Sequence, residues 1–224
     1  MPPPDLHESV IPQLDELNLE RGRPLIISDC DEVLVWFLKG LERYLEANGL
    51  WIDLQSFALT GNIKRRDTDE PLPKEEMPAL LQGFFDTETH RLEAVEGAAE
   101  ALSDLSQRAQ VVVLSNLPLS QRRTRIENLA SQGIDYPVIA NQGLKGAPVK
   151  KLAELVEAPV FFLDDLPPNI TSVAEAHEPS HRIHFIADDR LAKLLGPAED
   201  SHFHTTDWEA AKRFIEEKLE AEGF

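Results

Sequence analysis

The feature that most constrains the fold of this chain is a set of short apolar runs that recur along it. Five runs of three or four residues occupy positions 25–28, 111–114, 138–140, 160–163 and 183–186. Continuous rather than alternating apolar runs are typical of strands covered on both faces, as in a parallel sheet. Between them lie stretches of helical periodicity, predicted as helices over 98–107, 119–132, 148–157 and 207–221. This alternation indicates an α/β fold, a three-layer Rossmann-like parallel sheet with right-handed crossovers.

The interval between the first two apolar runs is far longer than one crossover helix needs. It carries two helical patterns, over 36–48 and 74–86, with a loop-like segment over 60–67 between them. We interpret residues 37–93 as a small, mostly helical cap, inserted into a core formed by residues 25–36 and 94–224. Residues 1–24 are rich in proline and acidic residues and are interpreted as an N-terminal arm.

The charge balance narrows the range of partners. The chain has 22 Lys and Arg against 40 Asp and Glu, a net charge of −18, which disfavours nucleic-acid polymers and anionic membranes. A small anionic substrate is still compatible, because a bound metal can invert the field of one pocket. The single cysteine, Cys30, excludes an intrachain disulfide. The sequence shows no signal-peptide pattern and no run long enough to span a bilayer, so we expect a cytoplasmic protein.

Acidic residues follow two of the predicted strands. Asp29 and Asp31 come directly after the first run, and Asp164 and Asp165 come directly after the fourth. The carboxyl ends of strands in an open α/β sheet form its ligand-binding crevice, so these side chains are expected to converge there. Like charges so close together are costly unless a cation lies between them or one carboxylate is protonated, and both arrangements are useful in catalysis. The four carboxyl residues therefore predict a site for Mg²⁺, which prefers such hard oxygen ligands.

Donors for an oxyanion are expected at the same crevice. Ser115 and Asn116 follow the second run and offer a hydroxyl, an amide and backbone N–H groups. Lys145 lies just before a predicted helix, where its ammonium group can neutralise both a phosphate and a carboxylate. Lys150 and Lys151 are competitors for this role, although helical spacing favours solvent for them.

These residues together resemble the four motifs of the haloacid dehalogenase (HAD) superfamily of phosphatases. Residues 29–34 (Asp-Cys-Asp-Glu-Val-Leu) are similar to the first motif, and residues 113–116 (Val-Leu-Ser-Asn) to the second. Lys145 matches the third motif, and residues 162–165 with Asn169 match the fourth. The motifs occur in the family's order over residues 25–189, and the cap lies where one major subgroup places it.

The resemblance implies a role for each residue. Asp29 would attack phosphorus and form an aspartyl-phosphate, while Asp31 would protonate the leaving oxygen and then activate water. The Asp31 backbone carbonyl would also bind Mg²⁺, and Asp164 and Asp165 would bind it directly or through water. Ser115 and Lys145 would hold the phosphoryl oxygens. Dehalogenase members lack an acid at the position of Asp31, so dehalogenation is disfavoured.

Two residues depart from the commonest pattern. Glu32 replaces a frequent glycine and is expected to face solvent, and Cys30 is interpreted as a small buried spacer rather than a nucleophile. The seven histidines show no metal-ligand spacing and are expected at the surface.

The organic part of the substrate is expected to contact the cap. Trp36, Phe37 and Lys39 follow the first motif closely and are candidate contacts to the leaving group. The region is loosely similar to deoxyribonucleotidase-type members, in which case an aromatic ring would stack on a base. The alternative is that both rings pack the cap against the core. The basic run 64–66 either recruits an anionic substrate or is merely solvated.

The sequence thus predicts a Mg²⁺-dependent phosphomonoester hydrolase that acts on a small phosphorylated metabolite, with nucleotides among the candidates. Three alternatives stay open: a phosphomutase or phosphotransferase, a catalytically inactive binding protein of the same fold, and a receiver-type signalling domain. Receivers are shorter and place the phosphorylated aspartate after a later strand, which argues against the last. The substrate and the choice between monomer and homodimer are left open.

Overall fold

The computed structural model describes residues 6–224, and a six-stranded parallel sheet lies at its centre. The strands of the chain are β1 (Leu25–Ser28), β2 (Leu50–Ile52), β3 (Ile63–Arg65), β4 (Gln110–Ser115), β5 (Val138–Ala140), β6 (Val160–Asp164), β7 (His181–Phe185) and β8 (Phe203–Thr205). The order in the central sheet is β5-β4-β1-β6-β7-β8. The chain moves from β1 to β4 and β5 on one side and to β6, β7 and β8 on the other. The ends of β1, β4 and β6 therefore flank the switch point at which such sheets bind ligands.

Helices cover both faces of this sheet. They are α1 (Ile11–Asp15), α2 (Phe37–Ala47), α3 (Met77–Glu88), α4 (Ala98–Leu105), α5 (Arg122–Ala130), α6 (Gly146–Val156), α7 (Pro167–Ala176), α8 (Asp189–Ala192) and α9 (Trp208–Ala221). Successive residues of β1 face opposite sides: Ile26 packs with residues of α4 and α9, whereas Leu25 and Ile27 pack with residues of α6 and α7. The predicted three-layer α/β architecture is confirmed. None of the helices in residues 6–224 combines the length and apolarity needed to cross a membrane.

Helix α9 supports the loop that follows β1. Trp208 is buried, and its indole Nε1 donates a hydrogen bond of 2.9 Å to the Val33 carbonyl. Asp207 caps the helix by accepting a hydrogen bond from the Ala210 N–H. The C-terminal helix thereby fixes the backbone only a few residues from Asp29.

The described part of the predicted N-terminal arm packs against the core. Residues 1–5 of the predicted arm lie outside the described residues, but α1 packs Val10 and Leu14 into the core. The Gln13 side chain accepts a hydrogen bond from the Ala140 N–H at 2.8 Å and donates one to its carbonyl at 2.9 Å. This side chain therefore satisfies backbone groups of the edge strand β5, which no neighbouring strand covers on that side.

The insertion between β1 and β4 contains a hairpin as well as helices. Strands β2 and β3 pair antiparallel, with Trp51 opposite Lys64, so the loop predicted over 60–67 is corrected. The periodicity missed β3 because its three residues include one apolar side chain, and its strand state depends on the pairing with β2. The strand β8 went unpredicted for the same reason.

The basic run of the insertion is paired with acids. Lys64 lies 2.6 Å from an Asp53 oxygen, Arg65 lies 2.9 Å from Glu76, and Arg66 lies 3.8 Å from Glu46. These cations pair with carboxylates of the insertion itself. The pairing favours a solvated surface role for run 64–66 over recruitment of an anionic substrate.

Candidate active site

Asp29 lies at the carboxyl end of the central strand β1. Its backbone N–H donates to the Leu163 carbonyl at 2.8 Å, which extends the β1–β6 pairing by one residue. Its Oδ1 accepts a hydrogen bond from the Cys30 N–H at 2.6 Å and lies 2.7 Å from the Lys145 ammonium. The residue is only 5% exposed, and that remaining surface borders a cavity. Asp29 is thus held in one orientation at the sheet's switch point.

Lys145 joins the carboxylates of two strands. It is fully buried at the residue before α6, and its Nζ lies 2.7 Å from both Asp29 Oδ1 and Asp164 Oδ2. Burial alone would lower the pKa of this ammonium, but the carboxylates of Asp164 and Asp29 raise it above its ordinary value. The competing residues Lys150 and Lys151 are exposed.

A glycine allows this placement of Lys145. A Cβ at Gly146 would lie 2.2 Å from the Ser172 carbonyl oxygen, so only glycine permits α6 to approach α7 this closely. The Gly146 N–H also donates to the Ser172 hydroxyl at 3.1 Å.

Three buried carboxylates form a group that suits a metal ion. Oxygens of Asp29, Asp164 and Asp165 all lie within 4.8 Å of one another. Burial raises the pKa of Asp29 to about 7, with Lys145 opposing the shift and Asp164 and Asp31 adding to it. Burial and the neighbouring carboxylates also raise the pKa of Asp165 well above its usual range. Three ionised carboxylates beside one lysine leave two negative charges, so a divalent cation with hard oxygen preference fits these residues.

Asp164 and Asp165 are each held by the surrounding backbone. Asp164 Oδ1 accepts hydrogen bonds of 2.9 Å from the Asn169 amide and the Leu166 N–H, which leaves Oδ2 to Lys145. The Asp165 carbonyl accepts a hydrogen bond of 3.0 Å from Nε2 of His184. His184 is fully buried, which corrects the expectation that all histidines lie at the surface.

The Asp31 carboxylate lies outside the three-carboxylate group in residues 6–224. Its Oδ1 accepts a hydrogen bond of 2.7 Å from Nη2 of Arg125, a residue of α5 that is fully buried. The Arg125 Nε and Nη1 atoms have no hydrogen-bond partner. Arg125 therefore compensates the charge of the Asp31 carboxylate, and the Mg²⁺ contact that the resemblance assigns to the Asp31 backbone carbonyl stays a prediction.

Ser115 and Asn116 lie at the end of β4, as predicted. The Ser115 hydroxyl is buried without a hydrogen-bond partner, an arrangement that is costly unless a ligand satisfies it. Asn116 borders the same cavity as Asp29, and its amide donates to the Gly143 carbonyl at 3.0 Å. The loop before Lys145 is thereby tied to the end of β4.

Glu32 is buried, which corrects the expectation that it faces solvent. Its oxygens accept hydrogen bonds from the Leu38 N–H at 2.5 Å and the Asp188 N–H at 3.2 Å. Burial raises the pKa of Glu32 to about 7 against the effect of these bonds. Its φ of +60° is in the left-handed region, where glycine is ordinarily favoured. Glu32 therefore links the start of α2 to the loop after β7.

Cys30 is buried, as expected for the small spacer predicted at this position. Its side chain is fully buried, and burial raises the pKa of its thiol above the usual range. A thiol held protonated in this way is a poor nucleophile.

The cavity above Asp29 measures about 320 Å³ and lies between core and insertion. Of the three candidate substrate contacts, Phe37 borders it and packs on Phe84 with ring centroids 4.9 Å apart. Trp36 and Lys39 instead border a different surface cleft, with the Lys39 ammonium 3.3 Å from the centroid of the Trp36 ring. The structure thus brings Phe37, but not Trp36 or Lys39, to the cavity above Asp29.

Solved structures share this architecture over most of the chain. A conserved haloacid dehalogenase-like protein of unknown function from Agrobacterium tumefaciens has a TM-score of 0.60 at 16% identity, covering 88% of this chain and 100% of that one. A HAD family hydrolase from Deinococcus radiodurans, with bound phosphate and sodium, has a TM-score of 0.60 at 15% identity, covering 88% and 97%. The chain has the haloacid dehalogenase-like fold.

A third structure, a predicted phosphoglycolate phosphatase from Haemophilus somnus, has a TM-score of 0.58 at 15% identity, covering 86% of this chain and 98% of that one. No protein-family model matches the sequence, and the comparison with curated proteins finds no match. The HAD resemblance expected from the four motifs is therefore confirmed at the level of the fold.

Proposed function

We propose that this HAD-like chain is a Mg²⁺-dependent phosphomonoester hydrolase that acts on a small phosphorylated metabolite. The observation that carries the proposal is the junction of Asp29, Asp164, Asp165 and Lys145 at the switch point of the sheet. The two excess negative charges fit a divalent cation. The unpartnered Ser115 hydroxyl, at the end of the strand that pairs with β1, fits a phosphoryl oxygen. HAD-like neighbours named as hydrolase and phosphatase support the same reaction class.

In the first step, an Asp29 carboxylate oxygen forms a bond to phosphorus while the bond from phosphorus to the ester oxygen breaks. Asp31 gives its proton to that leaving oxygen, so the alcohol departs neutral. Because Arg125 binds Oδ1 of Asp31, we assign this proton transfer to Oδ2. Ser115 and Lys145 hold the phosphoryl oxygens during the transfer.

In the second step, Asp31 takes a proton from water, whose oxygen bonds to the phosphorus of the Asp29 aspartyl-phosphate. The bond between Asp29 and phosphorus breaks, and inorganic phosphate leaves with the enzyme regenerated. Asp29, Asp164 and Asp165 would hold the cation, with the Asp31 carbonyl as a further ligand. The bound Mg²⁺ would supply charge neutralisation to the phosphoryl group.

Phosphate release tests the proposal. Acetyl phosphate and a panel of phosphomonoesters that includes nucleoside monophosphates would be assayed with Mg²⁺ or with EDTA, for wild type and Asp29→Asn. Asp53→Asn is the matched control, since Asp53 pairs with Lys64 in the insertion. Release that needs Mg²⁺ and is lost only in Asp29→Asn is the expected result.

Two other outcomes would replace the proposal. Transfer of the phosphoryl group to a second acceptor without release would favour a phosphomutase or phosphotransferase. Absence of release, together with absence of Mg²⁺ binding by calorimetry, would favour a catalytically inactive binding protein.

A further inference from the structure

The cavity above Asp29 has two chemically different ends. One end holds the carboxylates at the strand ends, where the phosphoryl group would lie. The other end is formed by the insertion and is almost entirely apolar; its lining includes Phe37, Leu54, Phe57, Leu59, Leu81 and Phe85. The leaving group of any phosphomonoester bound at Asp29 would meet this second end.

Among residues 6–224, no lysine or arginine side chain borders this cavity. The carboxyl residues Asp31 and Glu32 do border it. Lys64, a cation of the insertion, pairs with Asp53 at 2.6 Å. Arg125, the cation beside Asp31, is fully buried and is directed to that carboxylate.

Polar groups are equally scarce at the apolar end. Ser56 is the hydrogen-bonding side chain that the insertion adds to the lining, and its hydroxyl already accepts a bond of 2.9 Å from the Asn62 amide. A sugar would exchange its hydrogen bonds with water for contacts with leucine and phenylalanine, which is unfavourable. A second anionic group would be desolvated without a partner and would face like charges. An apolar group gains free energy on the same transfer.

We propose that the leaving group of the substrate is an uncharged, predominantly apolar alcohol or phenol, so the substrate carries its phosphoryl group as its only anion. This inference rests on the proposed phosphohydrolase function and names the substrate class of that site. It disfavours sugar phosphates, phosphorylated carboxylic acids and compounds with two phosphoryl groups as substrates.

A matched pair of esters separates charge from size. 3-Methylbutyl phosphate and 3-(phosphonooxy)propanoate have leaving groups of the same branched shape, which end in two methyl groups and in a carboxylate respectively. We expect kcat/KM for the methylbutyl ester to be larger by at least about tenfold, equivalent to about 1.4 kcal/mol. Equal values, or a preference for the carboxylate, would overturn the inference.

Acetyl phosphate hydrolysis and a binding measurement distinguish failure of the phosphohydrolase proposal from failure of the apolar leaving-group proposal. Acetyl phosphate is too small to use the apolar end, so its hydrolysis reports the chemistry at Asp29 alone. Should the protein fail to hydrolyse it, the phosphohydrolase proposal fails, while the cavity is still tested by calorimetry with 3-methylbutylphosphonate and 3-phosphonopropanoate in the presence of Mg²⁺. Tighter binding of the methylbutyl compound is expected, and equal binding would refute the assignment of the cavity.

A cation placed in the lining provides a gain-of-function test. Leu81→Lys puts an ammonium group at the apolar end from helix α3, whereas Gln82→Lys puts the same charge on the exposed side of that helix. Leu81→Lys is expected to shift the preference toward the carboxylate ester by about tenfold or more, and Gln82→Lys to leave it unchanged. An identical preference in wild type and both variants would contradict the proposed role of charge.

Discussion

Removing the Lys145 ammonium would leave two buried carboxylates uncompensated. Lys145→Met keeps most of the apolar stem but deletes the charge that lies 2.7 Å from both Asp29 and Asp164. The lysine and Asp164 side chains are fully buried, and that of Asp29 is 8% exposed, so little solvent screening is available. Removing one partner of a buried ion pair costs about 3–5 kcal/mol, and we expect a loss of about 4 kcal/mol in the free energy of unfolding near neutral pH.

The pH dependence of this loss follows from the raised pKa of Asp29. Its pKa of about 7 in the folded protein exceeds the value of 3.8 expected when unfolded, so the folded state binds more protons between these values. The free energy of unfolding therefore falls as pH rises from about 4 to about 7. Lys145 lowers the pKa of Asp29, so in Lys145→Met this fall continues to a higher pH. The destabilisation by Lys145→Met should be smallest near the acidic edge of the window and largest above about pH 8.

Urea unfolding in EDTA at several pH values measures these differences, followed by repetition with Mg²⁺. Lys150→Met is the matched control, because Lys150 is exposed on the helix that Lys145 precedes. Lys145 makes no side-chain capping bond to α6, so loss of a helix cap does not contribute. A loss below about 1 kcal/mol, or one that does not vary with pH, would refute the view that this lysine compensates buried charge.

Three further perturbations test other parts of the structure. Arg125→Met removes the hydrogen-bond partner of Asp31 and should lower kcat by about tenfold or more, while Mg²⁺ binding by calorimetry stays unchanged. An unchanged kcat would show that Arg125 does not position Asp31 for catalysis. Gly146→Ala places a Cβ 2.2 Å from the Ser172 carbonyl oxygen and should destabilise the fold by about 1–3 kcal/mol in thermal unfolding, and an unchanged Tm would contradict this packing. Burial lowers the pKa of His184 below 6.5, so the stability advantage of wild type over His184→Leu should be complete above pH 6.5 and should shrink as pH falls; a constant difference would argue against a neutral buried imidazole.

The sequence predicted the sheet and the acidic residues at its carboxyl edge because both depend on local patterns. The apolar run 25–28 coincides with β1, and Asp29 follows it as expected. Lys145 could be chosen over its competitors because glycines beside it permit close approach, whereas the later lysines continue a helix. The convergence of these residues follows from the carboxyl ends of parallel strands lying at one edge.

Residues whose role depends on distant partners escaped prediction. Arg125 lies in a basic stretch of α5 that resembles a solvated surface, and its partner Asp31 is 94 residues away in sequence. Glu32 binds backbone N–H groups 6 and 156 residues away, so nothing local shows that it is buried. A glutamate in place of the family's frequent glycine was the available sign that the position is unusual.

The insertion between β1 and β4 contains the two predicted helices, and it also contains a hairpin that was not predicted. The helical patterns over 36–48 and 74–86 correspond to α2 and α3, which begin and end within a few residues of the expected bounds. The hairpin was missed because β3 has one apolar side chain among its three residues and owes its strand state to the pairing with β2. The apolar surface that the insertion turns toward Asp29 is likewise visible only after folding, since its residues come from several separate segments.

The central claim is that Asp29 carries the phosphoryl group during turnover. Acid quenching during steady-state hydrolysis of acetyl phosphate, followed by borohydride reduction, converts an aspartyl-phosphate to homoserine that peptide mass spectrometry can locate. We predict homoserine at position 29 in the Mg²⁺-loaded protein and unmodified Asp29 in protein treated with EDTA. Phosphate release with no homoserine, or with homoserine at another aspartate, would contradict the assignment of Asp29 as the nucleophile.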